Sequence, residues 1–328
     1  MQYDQIRYVL EEQDPSITIE TRDLIIKIID NTGLLLTPTP DVKAFLSRYG
    51  TNSLTPYSHH LGYHGIRTLY NKDEKRNVVV PLVSWLNLQS VSLAGIENDP
   101  VDERAWSGVA RGWPIQLQRK GPGAILSLAP MPKTQFTYNI EFQPVEPDGI
   151  EFFIRFVFHK RPDTGPVRFR ASWPCYMNAY DDVRFFYPKV AGSKRWEWAS
   201  LGEKPDIVIG EPVAYQHRQT AYHVDNQAIP VGFGRIGDRT LTLMFNDPRV
   251  RFFVVNAGGH FPISAIQNPA WDFEWAIDDY PLNEPVGFAG RLLYNSLQTE
   301  EEVAKAYRQW MTNPCEPVNP GCCASLPA

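Results

Sequence analysis

Signals that would announce a membrane, a nucleic acid or a nucleotide are missing from this 328-residue chain. Nowhere do 18 uncharged apolar residues run together, and the opening MQYDQIRYVLEEQDPS has neither a basic n-region nor an apolar h-region. The expectation is a soluble, cytoplasmic protein without a Sec-type signal or a membrane partner. No basic stripe exists either. The 32 Lys and Arg are interspersed with 37 Asp and Glu, for a net charge of -5, so nothing would neutralise a run of phosphates and nucleic acid is an unexpected partner. The sequence has no GxGxxG after a strand, no GxxxxGK[ST], no HExxH and no GxSxG. Dinucleotide, phosphate-loop, zincin and serine-hydrolase chemistry therefore lose their usual support.

Cysteine is scarce and unpaired in pattern. Cys175 stands alone in SWPCYMN, and Cys315, Cys322 and Cys323 lie in the tail NPCEPVNPGCCASLPA. Without spaced pairs or a CxxC, neither a disulfide framework nor a zinc site is indicated, and reduced thiols on a mobile tail from 313 to 328 are the expectation.

What is abundant is punctuation. Gly 22 and Pro 28 are spread along the chain, which reads as many short strands rather than domains joined by a linker. Residues 1–112 read as an α+β extension packed on the main body, with strands in ITIETRDLIIKIIDNTGLLLT around the turn DNTG and a short helix in TPDVKAFLSRYG. Residues 113–312 read as a mainly β, antiparallel body. Its clearest element is the hairpin QFTYNIEFQPVEPDGIEFFIRFVFHKR. Phe136, Tyr138, Ile140 and Phe142 share one face of the first arm, and Ile150, Phe152, Ile154, Phe156 and Phe158 share one face of the second. Thr137, Asn139 and Glu141, then Glu151, Phe153, Arg155, Val157 and His159, make a chemically mixed opposite face. Further strands follow in VRFRASW, DVRFFYP, RTLTLMFNDPRVRFFVVN, AWDFEWAI and VGFAGRLLYNSL. One long helix, TEEEVAKAYRQWM, has Thr299 and Glu302 at capping-box spacing and an apolar side made by Val303, Ala306, Tyr307 and Trp310.

The order GGHFP, NPAWDFEW, DYPLNEPVGFAGRLLY in the final third resembles the galactose mutarotase-like, or aldose 1-epimerase-like, β-supersandwich. NPAWDFEW and HHLGYHG further resemble an uncharacterised bacterial branch of that fold. The resemblance implies a large antiparallel two-sheet sandwich whose broad sheet presents His, Arg, Asp and Glu to a sugar, with a histidine as acid and a late carboxylate as base. It would place Glu284 near the base position.

Proton transfer at a sugar carbon needs a group that gives a proton and one that takes it. His260 is the expected acid, since NAGGH sets it just past a strand where glycines admit close backbone approach. A turn histidine bonded to backbone is the alternative. His159, Glu284 and Glu274 complete the candidate catalytic set. Arg155 would stabilise negative charge on a substrate oxygen, unless it serves a cross-strand ion pair. His217 and His223 share parity in YQHRQTAYHVD and would contact hydroxyls. Asp272 and Glu274 alternate with Trp271, Phe273 and Trp275, so these acids share one face. Trp113 and Trp173, in turn-rich surroundings, would stack on a sugar ring. The sequence specifies no cofactor. A divalent metal ion is the one candidate, with His60, His64, His217 and His223 as ligands whose spacing matches no standard metal signature. These residues point to a carbohydrate enzyme acting by acid–base proton transfer, an epimerase or a β-eliminating lyase on a sugar or glycoside. The alternative is a non-catalytic carbohydrate-binding protein of the same fold. Oligomeric state is not written in the sequence.

Overall fold

Strict two-residue alternation over ten-residue runs has one stable outlet, a sheet with a buried and an open face, and the computed structural model has this form. It describes residues 16–30, 64–74, 77–79, 84–88, 90–93, 115–128, 135–161, 167–175, 185–191, 195–201, 220–223, 227–256, 270–296 and 298–312, with single residues 130 and 177. In chain order these form β1 (Ser16–Glu20), β2 (Leu24–Ile29), β3 (Gly65–Asn71), β4 (Ser90–Leu93), β5 (Ile115–Lys120), β6 (Gly123–Leu128), β7 (Phe136–Val145) and β8 (Gly149–Phe158). There follow β9 (Arg168–Trp173), β10 (Phe185–Ala191), β11 (Arg195–Leu201), β12 (Thr220–His223), β13 (Val231–Ile236), β14 (Arg239–Phe245), β15 (Arg251–Asn256), β16 (Ala270–Asp278), β17 (Pro285–Ser296) and a helix, α1 (Glu300–Thr312). The helix expected in TPDVKAFLSRYG and the tail after residue 312 lie outside the described residues.

Among the described residues, the named strands pair antiparallel. A nine-stranded sheet runs β11-β10-β13-β14-β17-β8-β7-β6-β5, a five-stranded sheet β12-β15-β16-β9-β4, and a three-stranded sheet β1-β2-β3. The two larger sheets pack face to face through interlocked aromatics. Phe156 of β8 stacks on Trp275 of β16 with centroids 5.9 Å apart and meets Phe169 of β9 edge-on at 4.8 Å. Phe245 of β14 meets Phe273 at 4.5 Å. Phe152, Ile154, Phe156 and Phe158 are fully buried, as the hairpin's parity requires. The three-stranded sheet joins the same core: Ile19, Leu24, Ile26, Ile66 and Leu69 belong to one buried cluster with residues of both larger sheets.

The first turn differs from its sequence reading. β1 and β2 are joined by an unexpected turn at Thr21, Arg22 and Asp23, while DNTG after Asp30 lies outside the described residues. Partners over a hundred residues away fix it there: the Thr21 hydroxyl donates to the Pro147 carbonyl at 2.6 Å, and the Arg22 N–H donates to Glu146 Oε2 at 2.8 Å. The β7–β8 turn thus dictates where an N-terminal strand bends, which no local turn signal could reveal.

Helix α1 starts on the expected capping box. The Thr299 N–H donates to Glu302 Oε2 at 2.7 Å, and the Glu302 N–H donates to Thr299 Oγ1 at 3.3 Å. Its Val303, Tyr307 and Trp310 bury against Phe153, Ala289, Leu293, Met244, Val231 and Phe233. By strand parity these partners stand on the face of the nine-stranded sheet turned away from the five-stranded one. The helix therefore covers part of that outer face, and this explains why Phe153 is buried on the hairpin's mixed side. Among the described residues no helix is long and apolar enough to cross a membrane.

Candidate functional site

Where α1 stops, the outer face of the nine-stranded sheet becomes polar. Register places Asn139 opposite Arg155 and Arg155 opposite Gly287, so one row crosses β7, β8 and β17. The neighbouring row is Glu141, Phe153 and Ala289. Glu141 is almost fully covered, with 4% of its side chain exposed, and a buried carboxylate needs compensation. Lys120 Nζ of β5 donates to its Oε2 at 2.6 Å, Gln143 Nε2 donates to its Oε1 at 3.0 Å, and the Arg155 guanidinium lies 3.6 Å from Oε2. Arg155 in turn leans over the Phe153 ring, 5.9 Å from its centroid. Beside it, Gly287 tolerates no side chain, because an added Cβ would sit 1.9 Å from the Ile154 carbonyl oxygen. The row is thus a floor with an arginine on one side and bare backbone on the other.

His159 lies past the end of the same strand face. Its N–H donates to the Gln135 carbonyl at 2.9 Å, and its Nδ1 is 3.0 Å from Asn283 Oδ1. Asn283 is held by its own N–H donating to the Phe158 carbonyl at 2.8 Å, with φ at 59°. Glu284 follows it, exposed, one residue before Pro285 takes its place opposite Val157. His159 and Glu284 therefore share the rim at which β8 ends and β17 begins. At roughly 3.3 Å per residue, four residues of strand set Arg155 about 13 Å from His159.

Under α1, the same face holds a second polar knot. Arg291 Nη2 donates to Glu151 Oε1 at 3.2 Å, Trp310 Nε1 donates to that same oxygen, and the Arg291 guanidinium stacks over the Trp310 ring at 5.4 Å. These groups fasten the helix to the sheet.

Other expected site residues are not brought here. Trp173 is fully buried between the sheets, stacked on Phe273 at 5.1 Å, with its Nε1 donating to the Tyr138 hydroxyl at 3.2 Å. It is a core residue rather than a sugar platform, because its parity matches the apolar face of β9. Asp272 and Glu274 do share a face of β16, but it is the outer face of the five-stranded sheet, with the core between them and Arg155. Glu274 pairs there with Arg170 at 2.6 Å. Asp272 is buried: it accepts the Cys175 N–H at 3.1 Å, and burial pushes its carboxyl up to about 7 against the opposing pull of that hydrogen bond. The adjacent Cys175 thiol is raised by burial and then by the Asp272 charge. His64 is buried too, its Nε2 accepting the Leu88 N–H at 3.1 Å, which removes that nitrogen from metal ligation. Among the described residues no group of three or more His, Cys, Asp or Glu could hold a metal ion. The backbone of His223 pairs opposite Phe253. His60, His217, His260 and Trp113 lie outside the described residues.

Sequence reading passed over Lys120, Gln143 and Asn283. A signal did exist for Glu141: it shares the mixed face with Asn139, and pairing the two arms about their turn sets it diagonally to Arg155.

No protein-family model matches the chain, and a search of curated proteins gave no match. Solved structures do resemble it. A putative aldose 1-epimerase from Escherichia coli superposes with a TM-score of 0.53 at 9% identity, over 86% of this chain and 99% of its own. Heparan sulfate lyase HepC from Pedobacter heparinus reaches a TM-score of 0.37 at 7% identity, over 84% of this chain and 30% of its own. Heparinase III reaches 0.40 at 10% identity, over 88% and 38%. The chain thus spans about a third of the length of these two lyases. At such identities the likeness is one of fold, and with the epimerase superposition covering most of this chain and nearly all of its own, the architecture is the aldose 1-epimerase-like sandwich.

Proposed function

We propose that this protein is a cytoplasmic carbohydrate enzyme that moves a proton at or beside an anomeric or carbonyl carbon, as an epimerase or a β-eliminating lyase. The observation that carries this reading is the polar stretch of the nine-stranded sheet's outer face. There an arginine held by a buried carboxylate, a floor without side chains, and a rim bearing a histidine and a carboxylate follow one another along β8 and β17. In this reading Arg155 and Asn139 bind substrate oxygens, and His159 and Glu284 exchange protons with it. Epimerisation removes a proton from one side of a carbon and returns one on the other. Elimination removes the proton and lets the leaving oxygen depart with another. His260 stays with the proposal as the acid that its glycine-flanked position suggests. The fold supports the substrate class, since the structure that superposes with a TM-score of 0.53 is named a putative aldose 1-epimerase.

One observation favours the second reading, a carbohydrate-binding protein without catalysis. Glu141, Glu151 and Glu274 are all engaged by cationic side chains, so each already has a partner other than a substrate. The test is to offer the purified protein a pool of aldoses, keto-sugars, glycosides and oligosaccharides, then repeat it with His159→Gln and with His260→Ala. Turnover that falls by roughly two orders of magnitude in either variant, with melting temperature unchanged, supports the enzyme. Binding without turnover transfers the case to the binding protein. If no member of the pool binds or reacts, both readings fail.

A further inference from the structure

We propose that Asn283 is a positioning residue that sets the tautomer of His159, so that Nδ1 carries the proton of the neutral ring and Nε2 is presented as a base. The inference rests on reading His159 as a proton-transfer group, but concerns a residue and a state which that reading leaves open. A neutral imidazole has one N–H, and the partner of one nitrogen decides where it sits. Here the partner of Nδ1 is the amide oxygen of Asn283 at 3.0 Å, which can only accept. The proton is therefore drawn to Nδ1, and the lone pair is left on Nε2.

The arrangement is fixed from three sides. The His159 backbone is tied to the Gln135 carbonyl at 2.9 Å, and the Asn283 backbone to the Phe158 carbonyl at 2.8 Å. Asn283 also occupies the left-handed region, φ 59°, where asparagine is among the few residues with a side chain that settle readily. That choice of residue matters. A glycine would satisfy the backbone there equally well, so the conformation does not demand the amide that reaches the ring. Both side chains are exposed, so neither is needed to fill the core.

The two requirements, a backbone with positive φ and an acceptor at Nδ1, are separable by substitution. Asn283→Gly keeps the first and removes the second, while Asn283→Asp keeps both. Nitrogen-15 spectra of the imidazole rings, recorded at a pH where they are neutral, report the tautomer directly. The chain has seven histidines, and the His159 signals are identified by their loss in His159→Gln. The expected result is a predominantly Nδ1–H ring in the unaltered protein and in Asn283→Asp. In Asn283→Gly the ratio should move towards Nε2–H by about threefold to tenfold, the scale of one net hydrogen bond. A ring that is already mainly Nε2–H in the unaltered protein, or whose ratio is the same in Asn283→Gly, overturns the proposal. Because the readout is spectroscopic, it stands or falls without a known substrate. A sugar pool that gives no turnover would sink the enzymatic reading while leaving the tautomer measurement intact.

Discussion

At the scale of single residues, burial rather than residue type decides what a side chain does. Asp272 and Glu274 stand two positions apart on one face of β16, and alternation alone gives them the same role. Yet Glu274 meets Arg170, whereas Asp272 is buried with the Cys175 N–H as its donor. Alternation fixes the face of a strand but cannot say which part of that face other segments will cover. Trp173 carries the same lesson: its turn-rich neighbours suggested exposure, and its parity, which put it in the core, was the better guide. Asp272 gives a pH-dependent stability whose sign follows from linkage. Its folded carboxyl is raised to about 7 from an ordinary 3.8, so between these values the folded state binds more protons than the unfolded chain. The stability of the protonated form is complete below about 3.8 and is lost as pH rises towards 7 and beyond, by of order 4 kcal/mol. Asp272→Asn keeps an oxygen for the Cys175 N–H without the charge. It should raise the melting temperature by several degrees at pH 8 and change it little at pH 4. A variant less stable than the parent at pH 8 would show that the ionised carboxylate is held more favourably than its burial implies.

At the scale of elements, the hairpin β7–β8 and its buried face were legible because both arms obey one period, although the turn is shorter than PVEPDG suggests, with Pro144, Val145 and Gly149 paired in the strands. Helix α1 was legible from its capping box. What the sequence could not reveal was that the two meet: Phe153 looked out of place on a mixed face until Trp310 and Tyr307 were found packed over it. The same hairpin allows a sharp test of which face is the core. Phe156 touches Phe136, Tyr138, Phe158, Phe169, Trp173 and Trp275. Phe156→Ala should cost about 3–5 kcal/mol in chemical denaturation, the usual scale for emptying a packed aromatic site. Thr137→Ala, on the same pair of strands but facing outward, should cost less than about 0.5 kcal/mol. Comparable losses in the two variants would mean that both faces are packed alike.

At the scale of the whole molecule, the sandwich has two outer faces, and the candidate residues divide between them. The order of late strands made the fold legible, but the partition was not: it depends on β16 and β17, neighbours in sequence, belonging to different sheets. Glu274 and Glu284 are ten residues apart in the chain, yet Glu274 stands on the outer face of the five-stranded sheet and Glu284 on the rim where the nine-stranded sheet's β17 begins. The five-stranded sheet's outer face carries the exposed pairs Arg168–Asp278 at 2.7 Å and Arg170–Glu274 at 2.6 Å, which are well solvated and of little energetic weight. The nine-stranded sheet's outer face carries Arg155 on a buried carboxylate beside a glycine floor, where a sugar oxygen would meet a pre-positioned guanidinium. Replacing each arginine by alanine separates the faces. Arg155→Ala leaves Glu141 its bond from Lys120, so the sheet should persist, while affinity for whichever sugar the protein binds should fall roughly tenfold to a hundredfold, the range for a hydrogen bond to a charged group. Arg170→Ala should leave that affinity within about twofold. Isothermal titration of both variants with one bound sugar decides the matter: a loss confined to Arg170→Ala would move the site to the five-stranded sheet, and with it the role assigned to His159.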